Sequence, residues 1–350
     1  MSSPAVPVAD LRIVVNGRDL PLAARADVAS VTVVDDVAAL SMFELVLHNW
    51  DPEQLAVTWS DATLFAPGAE VQVWLGQVDD LHEVMTGQVT GLEPNFGAAA
   101  APMLTVRGYD LGHRLARGRR TRTFARQKDS GIAAQLAREA GLRPQVTDSK
   151  VVNEYVVQHN QTDLEFLRGR AALVGYQVYV REKVLHFAPP RLDAAGAPSL
   201  EVGREIVEFT PRLRTLSQVD QVSVRGWDVR KKVAVVGAAR TAAQLLGPSG
   251  GAAQAKRAFG AAAEIGVATP VPIQARADQV ASAGLDARML EFVTGEVRCS
   301  GDPRLRAGSV VQVRGAGTRF SGSYFVRTVT HMLTPGSALR TELDVARNAT

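Results

Sequence analysis

The run Gln158-His-Asn-Gln-Thr-Asp-Leu-Glu-Phe-Leu-Arg-Gly-Arg-Ala-Ala-Leu-Val-Gly-Tyr-Gln-Val-Tyr-Val-Arg-Glu-Lys-Val-Leu-His-Phe-Ala188 carries the clearest local code in the chain. Thr162 and Glu165 have the spacing of a capping box, in which each side chain accepts the other residue's backbone N–H. Leu164, Leu167, Ala171 and Val174 recur at helical spacing and give the helix one apolar face. Gly175 follows where a helix ends in a left-handed residue. Tyr176–Val180 and Val184–Phe187 are short β-rich runs around a charged Arg181-Glu-Lys183 tip, and Pro189-Pro190 ends them. The stretch predicts a capped helix feeding a hairpin.

Upstream, Leu11–Val15, the turn Asn16-Gly17 and Val28–Val34 read as strand, turn and strand. Phe43, Leu45 and Leu47 alternate with Glu44, Val46 and His48, the period of a strand with one apolar face. Asn49–Pro67 is a longer connection with a helical turn, and strands follow at Glu70–Leu75, Val84–Leu92 and Met103–Arg107. Short strands divided by turn signals predict an antiparallel barrel or sandwich. Arg114–Arg126 is basic and only weakly periodic. Asp129 stands where it can cap a helix carrying Ile132, Leu136 and Ala140, Gly141 stops that helix, and Val151–Gln158 is a strand.

Downstream, Ala194–Pro198 is a loop, and strands resume at Ile206–Phe209, Gln218–Gly226 and Lys232–Val236. Ala238–Gly266 is dominated by Ala and Gly and predicts a mobile loop carrying one weak helix. Ala275–Met289 is a helix, and Leu290–Cys299, Ser309–Arg314, Gly322–Met332 and Leu339–Ala346 are strands. Along the strand that follows a bend at Gly322, Tyr324, Val326 and Thr328 are expected to alternate with Phe325, Arg327 and Val329. The expected organisation is mainly β with an α/β insertion: a first β-barrel over 1–115, the insertion (helix, strand, helix, hairpin) over 116–198, and a second β-barrel over 199–350 containing the loop 238–266.

A chain of 350 residues has room for two or three domains of roughly 100–200 residues each. With 46% hydrophobic and 21% charged residues it has the composition of a globular protein. The 39 basic and 36 acidic side chains leave a net charge of only +3, too little to argue for a polyanion partner. A single cysteine, Cys299, excludes an internal disulfide. No apolar run reaches the roughly 18–20 residues that span a bilayer, and Met1–Asp10 lacks the cationic start and apolar core of a signal peptide.

Motifs that carry chemistry are missing. His48, His82, His113, His159, His186 and His331 are scattered, without the spacing of a zinc site, and read as structural or surface residues. Cys299 at a strand end reads as a small buried hydrophobe rather than a nucleophile. Gly315-Ala-Gly317 lacks the later residues of a phosphate loop and reads as a hairpin turn, and no Gly-x-Ser-x-Gly elbow occurs. Arg114, Arg117, Arg119, Arg120, Arg122 and Arg126 form one dense basic run with Phe124 as its only aromatic, so a solvated or subunit-contacting strand is favoured over a nucleic-acid platform. Asp35-Asp36 and Asp79-Asp80 read as solvated turn residues. The expectation is a protein with no catalytic, cofactor-binding or metal-binding residues and no cofactor, not an enzyme; a hidden active site in the insertion and a nucleic-acid-binding barrel are the rivals.

The order Gln161-Thr-Asp-Leu-x-Phe-Leu167, Gly175-Tyr-x-x-Tyr179, Leu185-x-Phe187 resembles the baseplate-hub proteins of contractile tails: the phage late-control protein D family and the N-terminal half of VgrG spike proteins. Val15-Asn-Gly17, Val28–Asp35, Phe43-Glu-Leu45, Pro67-Gly68, Met85-x-Gly87-x-Val89, Arg107-Gly-Tyr-Asp110, Leu115–Phe124, Gly301–Gly308, Phe320-Ser-Gly-x-Tyr324 and His331 extend the likeness in order along most of the chain. The resemblance implies two antiparallel tail-hub β-barrels and a homotrimer whose six barrels form a pseudo-sixfold ring between the sixfold inner tube and the threefold spike. It implies as partners an inner tube protein, a central spike or needle protein, and baseplate wedge and tube-initiator proteins. The expected setting is the bacterial cytoplasm during assembly, then the baseplate of a virion or phage-tail-like particle. The alternative within the resemblance is the N-terminal part of a VgrG-type spike of a type VI secretion system. Family members with a built-in spike continue into a further barrel and a β-helical needle; this sequence stops at Thr350, so the needle is expected on a separate polypeptide.

Overall fold

The computed structural model describes residues 9–97, 101–266 and 271–350, so the reading of the first eight residues lies outside it. The chain opens with β1 (Ala9–Val15), β2 (Arg18–Asp19), α1 (Leu22–Asp27), β3 (Val28–Asp36), β4 (Met42–His48), β5 (Glu70–Gln77), β6 (Asp80–Asn95) and β7 (Met103–Asp110). The alternation expected on β4 buries Phe43, Leu45 and Leu47, against Val31 and Val33 of β3 and Val71, Val73 and Leu75 of β5. The sheet is strongly curled: β3 and β6, three strands apart in the ladder, approach within 8 Å, whereas a flat ladder would hold them about 14 Å apart.

One pairing departs from the expectation. Leu11–Val15 and Val28–Val34 are not partners across the Asn16-Gly17 turn; β1 pairs with β5 (Val15↔Val71) and β3 with β4 (Val31↔Leu45). The good helix formers Leu22-Ala-Ala-Arg-Ala-Asp27 make α1, which buries Ala24 and carries the chain away from β1.

The next elements are β8 (Arg120–Lys128), α2 (Asp129–Glu139), β9 (Arg143–Val146), β10 (Val152–Gln161), α3 (Asp163–Val174), β11 (Gln177–Arg181) and β12 (Val184–Ala188). The capping box forms as read: Thr162 Oγ1 accepts from Glu165 N at 3.1 Å, and Glu165 Oε2 accepts from Thr162 N at 3.0 Å. Gly175 ends α3 at φ +70°, where a Cβ would also come within 3.3 Å of Ala283 Cβ. β8 pairs with β10, and the β11–β12 hairpin is joined by β9, parallel to β12. Asp129 does not cap α2. It is the first helical residue, makes no capping bond and points its carboxylate inward.

The chain closes with β13 (Ser199–Glu201), β14 (Ile206–Leu213), β15 (Gln221–Asp228), β16 (Val233–Ala239), α4 (Gly251–Phe259), β17 (Ala263–Gly266), α5 (Gln274–Met289), β18 (Val293–Ser300), β19 (Val310–Arg314), α6 (Gly317–Phe320), β20 (Gly322–Leu333) and β21 (Arg340–Arg347). Residues 238–266 thus hold the end of β16, one helix and a strand; Gly315-Ala-Gly317 lies in the β19–β20 connection, which includes α6. β16, β15 and β17 form a separate sheet covered on one face by α5.

β20 joins everything. It pairs with β21 and β19 and, over Thr328↔Asp36 to Leu333↔Val31, with β3. The early and late β regions are therefore one 13-stranded sheet, with the path β14-β18-β21-β20-β3-β4-β7-β6-β5-β1-β2 and β19 and β13 branching from β20. Because β20 lies at this fork, Tyr324, Phe325 and Val326 are all buried, and a register shift before Thr328 interrupts the simple alternation expected there. Two apolar cores sit on this sheet, one per β region, and a third fills the α/β part around Phe124, Ile132, Leu167 and Phe187.

Candidate assembly site: buried junctions and open edges

Period two places Val31, Val33 and Asp35 on the same, inward face of β3. Asp35 is accordingly only 8% exposed, which corrects its reading as a solvated turn residue. Its Oδ2 accepts from Arg181 Nη2 of β11 at 3.0 Å and from Ala307 N at 3.1 Å, so one carboxylate ties the first β region to the insertion and to the loop before β19. Asp36 is also built in, accepting from Ala38 N (2.6 Å), Ala39 N (2.8 Å) and Thr328 Oγ1 (2.8 Å). Asp79 and Asp80, by contrast, are exposed at the β5–β6 tip.

Around Asp35 lies a cavity of about 100 Å³ lined by Ser41, Glu83, Asp110, Arg181 and Arg306 among others. Arg306 donates through Nη1 to Pro303 O (2.7 Å) and Leu305 O (3.1 Å) and through Nη2 to Glu83 O, linking the late loop to β6. Burial lowers the Arg306 pKa. Asp110 accepts from Ser41 N and Gly112 N, both at 2.7 Å, yet burial outweighs these bonds and pushes its carboxyl up to about 7. His331 is fully buried, and burial first, then Arg306, holds it down at about 4. The neutral ring must carry its proton on Nε2, because Leu305 O at 3.3 Å can only accept, while Nδ1 takes the Thr341 hydroxyl at 3.0 Å. Each of these groups is committed to a partner within the fold, which is the chemistry of a clamp.

A second clamp joins the insertion to the late region. Asp129 of α2, fully buried, accepts from Arg170 Nε of α3 and Arg276 Nη2 of α5, both at 2.6 Å. Asn153 of β10 completes it, accepting from Arg170 Nη2 at 3.1 Å and from Arg276.

The basic run is largely spent on internal pairs. Arg119 meets Glu165 at 2.9 Å, and Arg122 meets both Glu139 and Asp163 at 2.7 Å. Arg120 lies 3.7 Å from Glu139, and Arg114 donates to Gln88. The histidines do not converge: His48 and His159 are exposed, His82 sits by Asp80, His113 by Gln88, and His186 stacks on Tyr179 at 4.6 Å. Among the described residues no three His, Cys, Asp or Glu side chains form a metal-binding group. Cys299 is buried, donates to Thr341 O at 3.3 Å, and has its thiol pushed up to about 12 by burial, so it is held protonated.

The surface carries what the clamps leave free. β14 ends the large sheet with β18 as its one partner strand among the described residues, and Val207 on it and Leu216 beyond it are 81% and 99% exposed. Such an edge is a template for another chain.

This continuous sheet with two cores and an α/β insertion is a fold shared with phage tail proteins and with a type VI secretion component. The 43 kDa tail protein of prophage MuSo2 from Shewanella oneidensis superposes with a TM-score of 0.72 at 14% identity, covering 97% of this chain and 98% of that one. A tail protein from Neisseria meningitidis gives 0.70 at 15%, covering 97% of both. An Escherichia coli component of the type VI secretion system gives 0.57 at 12%, covering 97% of this chain and 76% of that one. At these identities the likeness is one of fold. The sequence itself matches the family described as the Alg8 N-terminal domain over residues 5–335, and the chain belongs to that family. No curated protein matches it.

Proposed function

We propose that this protein is a structural hub of a contractile phage tail or phage-tail-like injection system. Three copies form a ring in which two β regions per chain present six similar surfaces, so that a sixfold inner tube meets a threefold spike. The observation that carries the reading is the single 13-stranded sheet with a separate core in each β region, in a chain that superposes over nearly its whole length on a prophage tail protein. In the proposed ring the units 1–115 and 199–350 are the two barrels, the open edge at β14 is covered by neighbours, and 116–198 faces outward. Its partners are the inner tube, spike, wedge and tube-initiator proteins, and it assembles in the bacterial cytoplasm before residing in a baseplate. Its role is mechanical rather than catalytic, with no resident cofactor or metal.

Mixing the purified chain with the tube and spike proteins of its own gene cluster tests the proposal. A complex whose images show a threefold ring joined to a sixfold tube is expected; failure to bind either protein would overturn it. A second reading is the N-terminal part of a VgrG-type spike, favoured by the fold match to the type VI component and by the family description as an N-terminal domain. The mass of this polypeptide in native particles separates the two.

A further inference from the structure

The small sheet β16-β15-β17 has one face closed by α5 and the other open. The closed face holds Val222, Val224 and Val235, and Gly237 lets the backbone of Ala277 approach so closely that a Cβ would lie 2.2 Å from it. The register puts Trp227 opposite Ala234, Arg225 opposite Val236, and Ser223 between Ala238 and Ile265, all on the open face. Trp227, Val236 and Ile265 are each about half exposed there (53%, 50% and 52%). β16 itself reads Val233-Ala-Val-Val-Gly-Ala-Ala239, without a charge or proline to discourage pairing. Among the described residues its only partner strand is β15, and the one side-chain bond to its backbone is from Gln274 Nε2 to Val236 O at 2.8 Å.

The charge at the tip of this edge is mostly positive, its one acid, Asp228, being taken up by the backbone N–H groups of Arg230 and Lys231 at 3.0 Å. The β15–β16 tip carries Arg230, Lys231 and Lys232, and Arg225 stands on the open face. Arg230 is paired with Glu154, but Arg225, Lys231 and Lys232 form no ion pair among the described residues. An apolar edge strand that starts beside unpaired cations defines its complement.

We infer that the outer edge and open face of β16 dock an extended segment of a partner protein that adds as a strand, sets small apolar side chains beside Val236 and Trp227, and places Asp or Glu against Lys231 and Lys232. Backbone pairing supplies affinity and the acidic end fixes register, as in strand addition generally. A single-stranded nucleic acid fits less well, because the open face offers one aromatic ring, Trp227, among aliphatic neighbours, where successive bases need several. The inference rests on the chain working within an assembly, but it concerns a surface separate from the β14 edge.

Two measurements on particles isolated from the host test it. Hydrogen exchange at residues 233–239 should slow by about tenfold or more in the particle relative to the isolated full chain. Zero-length carbodiimide, which joins amines to carboxylates, should link Lys231 or Lys232 to an Asp or Glu of another polypeptide, and Val236→Lys should abolish both effects without changing the melting of the isolated chain. Unchanged exchange in β16 alongside slowed exchange in β14 would overturn this inference and leave the hub standing; unchanged exchange at both would count against both. Protection that nuclease removes would overturn it in favour of nucleic acid.

Discussion

Asp129→Ala would leave Arg170 and Arg276 sharing the Asn153 carbonyl, with Gln279 Oε1 as a further, neutral acceptor for Arg276. Asp129 is fully buried and its two oxygens each accept a guanidinium bond of 2.6 Å, so alanine removes two charge-assisted bonds at once. Arg276 is also nearly fully buried and cannot turn to water without moving α5, whereas Arg170 is more open. Breaking one side of a buried ion pair costs about 3–5 kcal/mol, because the surviving charge stays desolvated. Set against a total stability of about 5–15 kcal/mol, that is a large fraction. With an unfolding entropy of about 2.1 cal/mol/K per residue, a 350-residue body shifts by about 1.4 °C per kcal/mol, so the melting temperature should fall by roughly 4–7 °C in differential scanning calorimetry. Adding Arg276→Met should recover part of the loss, since the uncompensated cation is then gone. A shift below about 1 kcal/mol for Asp129→Ala, or strict additivity of the pair, would refute the view that this clamp fastens the insertion to the late region.

Other expectations follow from the same geometry. The Asp110 carboxyl is raised from 3.8 to about 7, so the folded state holds a proton that the unfolded state releases; this contribution is full below about 4 and is lost as pH rises through 7. His331 works the opposite way, its contribution being lost as pH falls from 6.5 through about 4. Asp110→Asn should therefore make stability rise more steeply with pH over that interval in urea titrations, and an unchanged profile would contradict the buried-carboxyl account. Thr162→Ala removes the capping hydroxyl of α3 and should cost about 1 kcal/mol by chemical denaturation, while Thr162→Ser should cost far less. Gly237→Val drives a side chain into Ala277 and should destabilise the small sheet by about 1–3 kcal/mol or more, read as faster exchange in α5; a neutral result would show that the helix stands further off.

What the sequence disclosed, it disclosed through local rules. The capping box, the Gly175 stop, the hairpin after it and the burial of Phe43, Leu45 and Leu47 all depend on residues within one or two turns of each other. The β3–β20 pairing has no local signal, since Asp36 and Thr328 are 292 residues apart, so the joining of the β regions into one sheet was not legible. Asp35 and Asp129 look like surface acids until Arg181 and Arg276 arrive from distant elements. For Asp35 the strand period held the missing clue, because it shares the inward face of Val31 and Val33. The glycines between 237 and 251 gave no periodicity for a different reason. Gly237 lies against Ala277 and Gly251 against the Phe292 ring, where a Cβ would come within 2.3 Å of a carbon, so smallness there serves close packing.

The hub account stands on three chains presenting six β surfaces, and the mass of the purified protein in solution tests that directly. Light scattering over a concentration series should give three times the 37.4 kDa of one chain, stable on dilution. A monomer at every concentration, or a stable assembly whose copy number is not a multiple of three, would contradict the account.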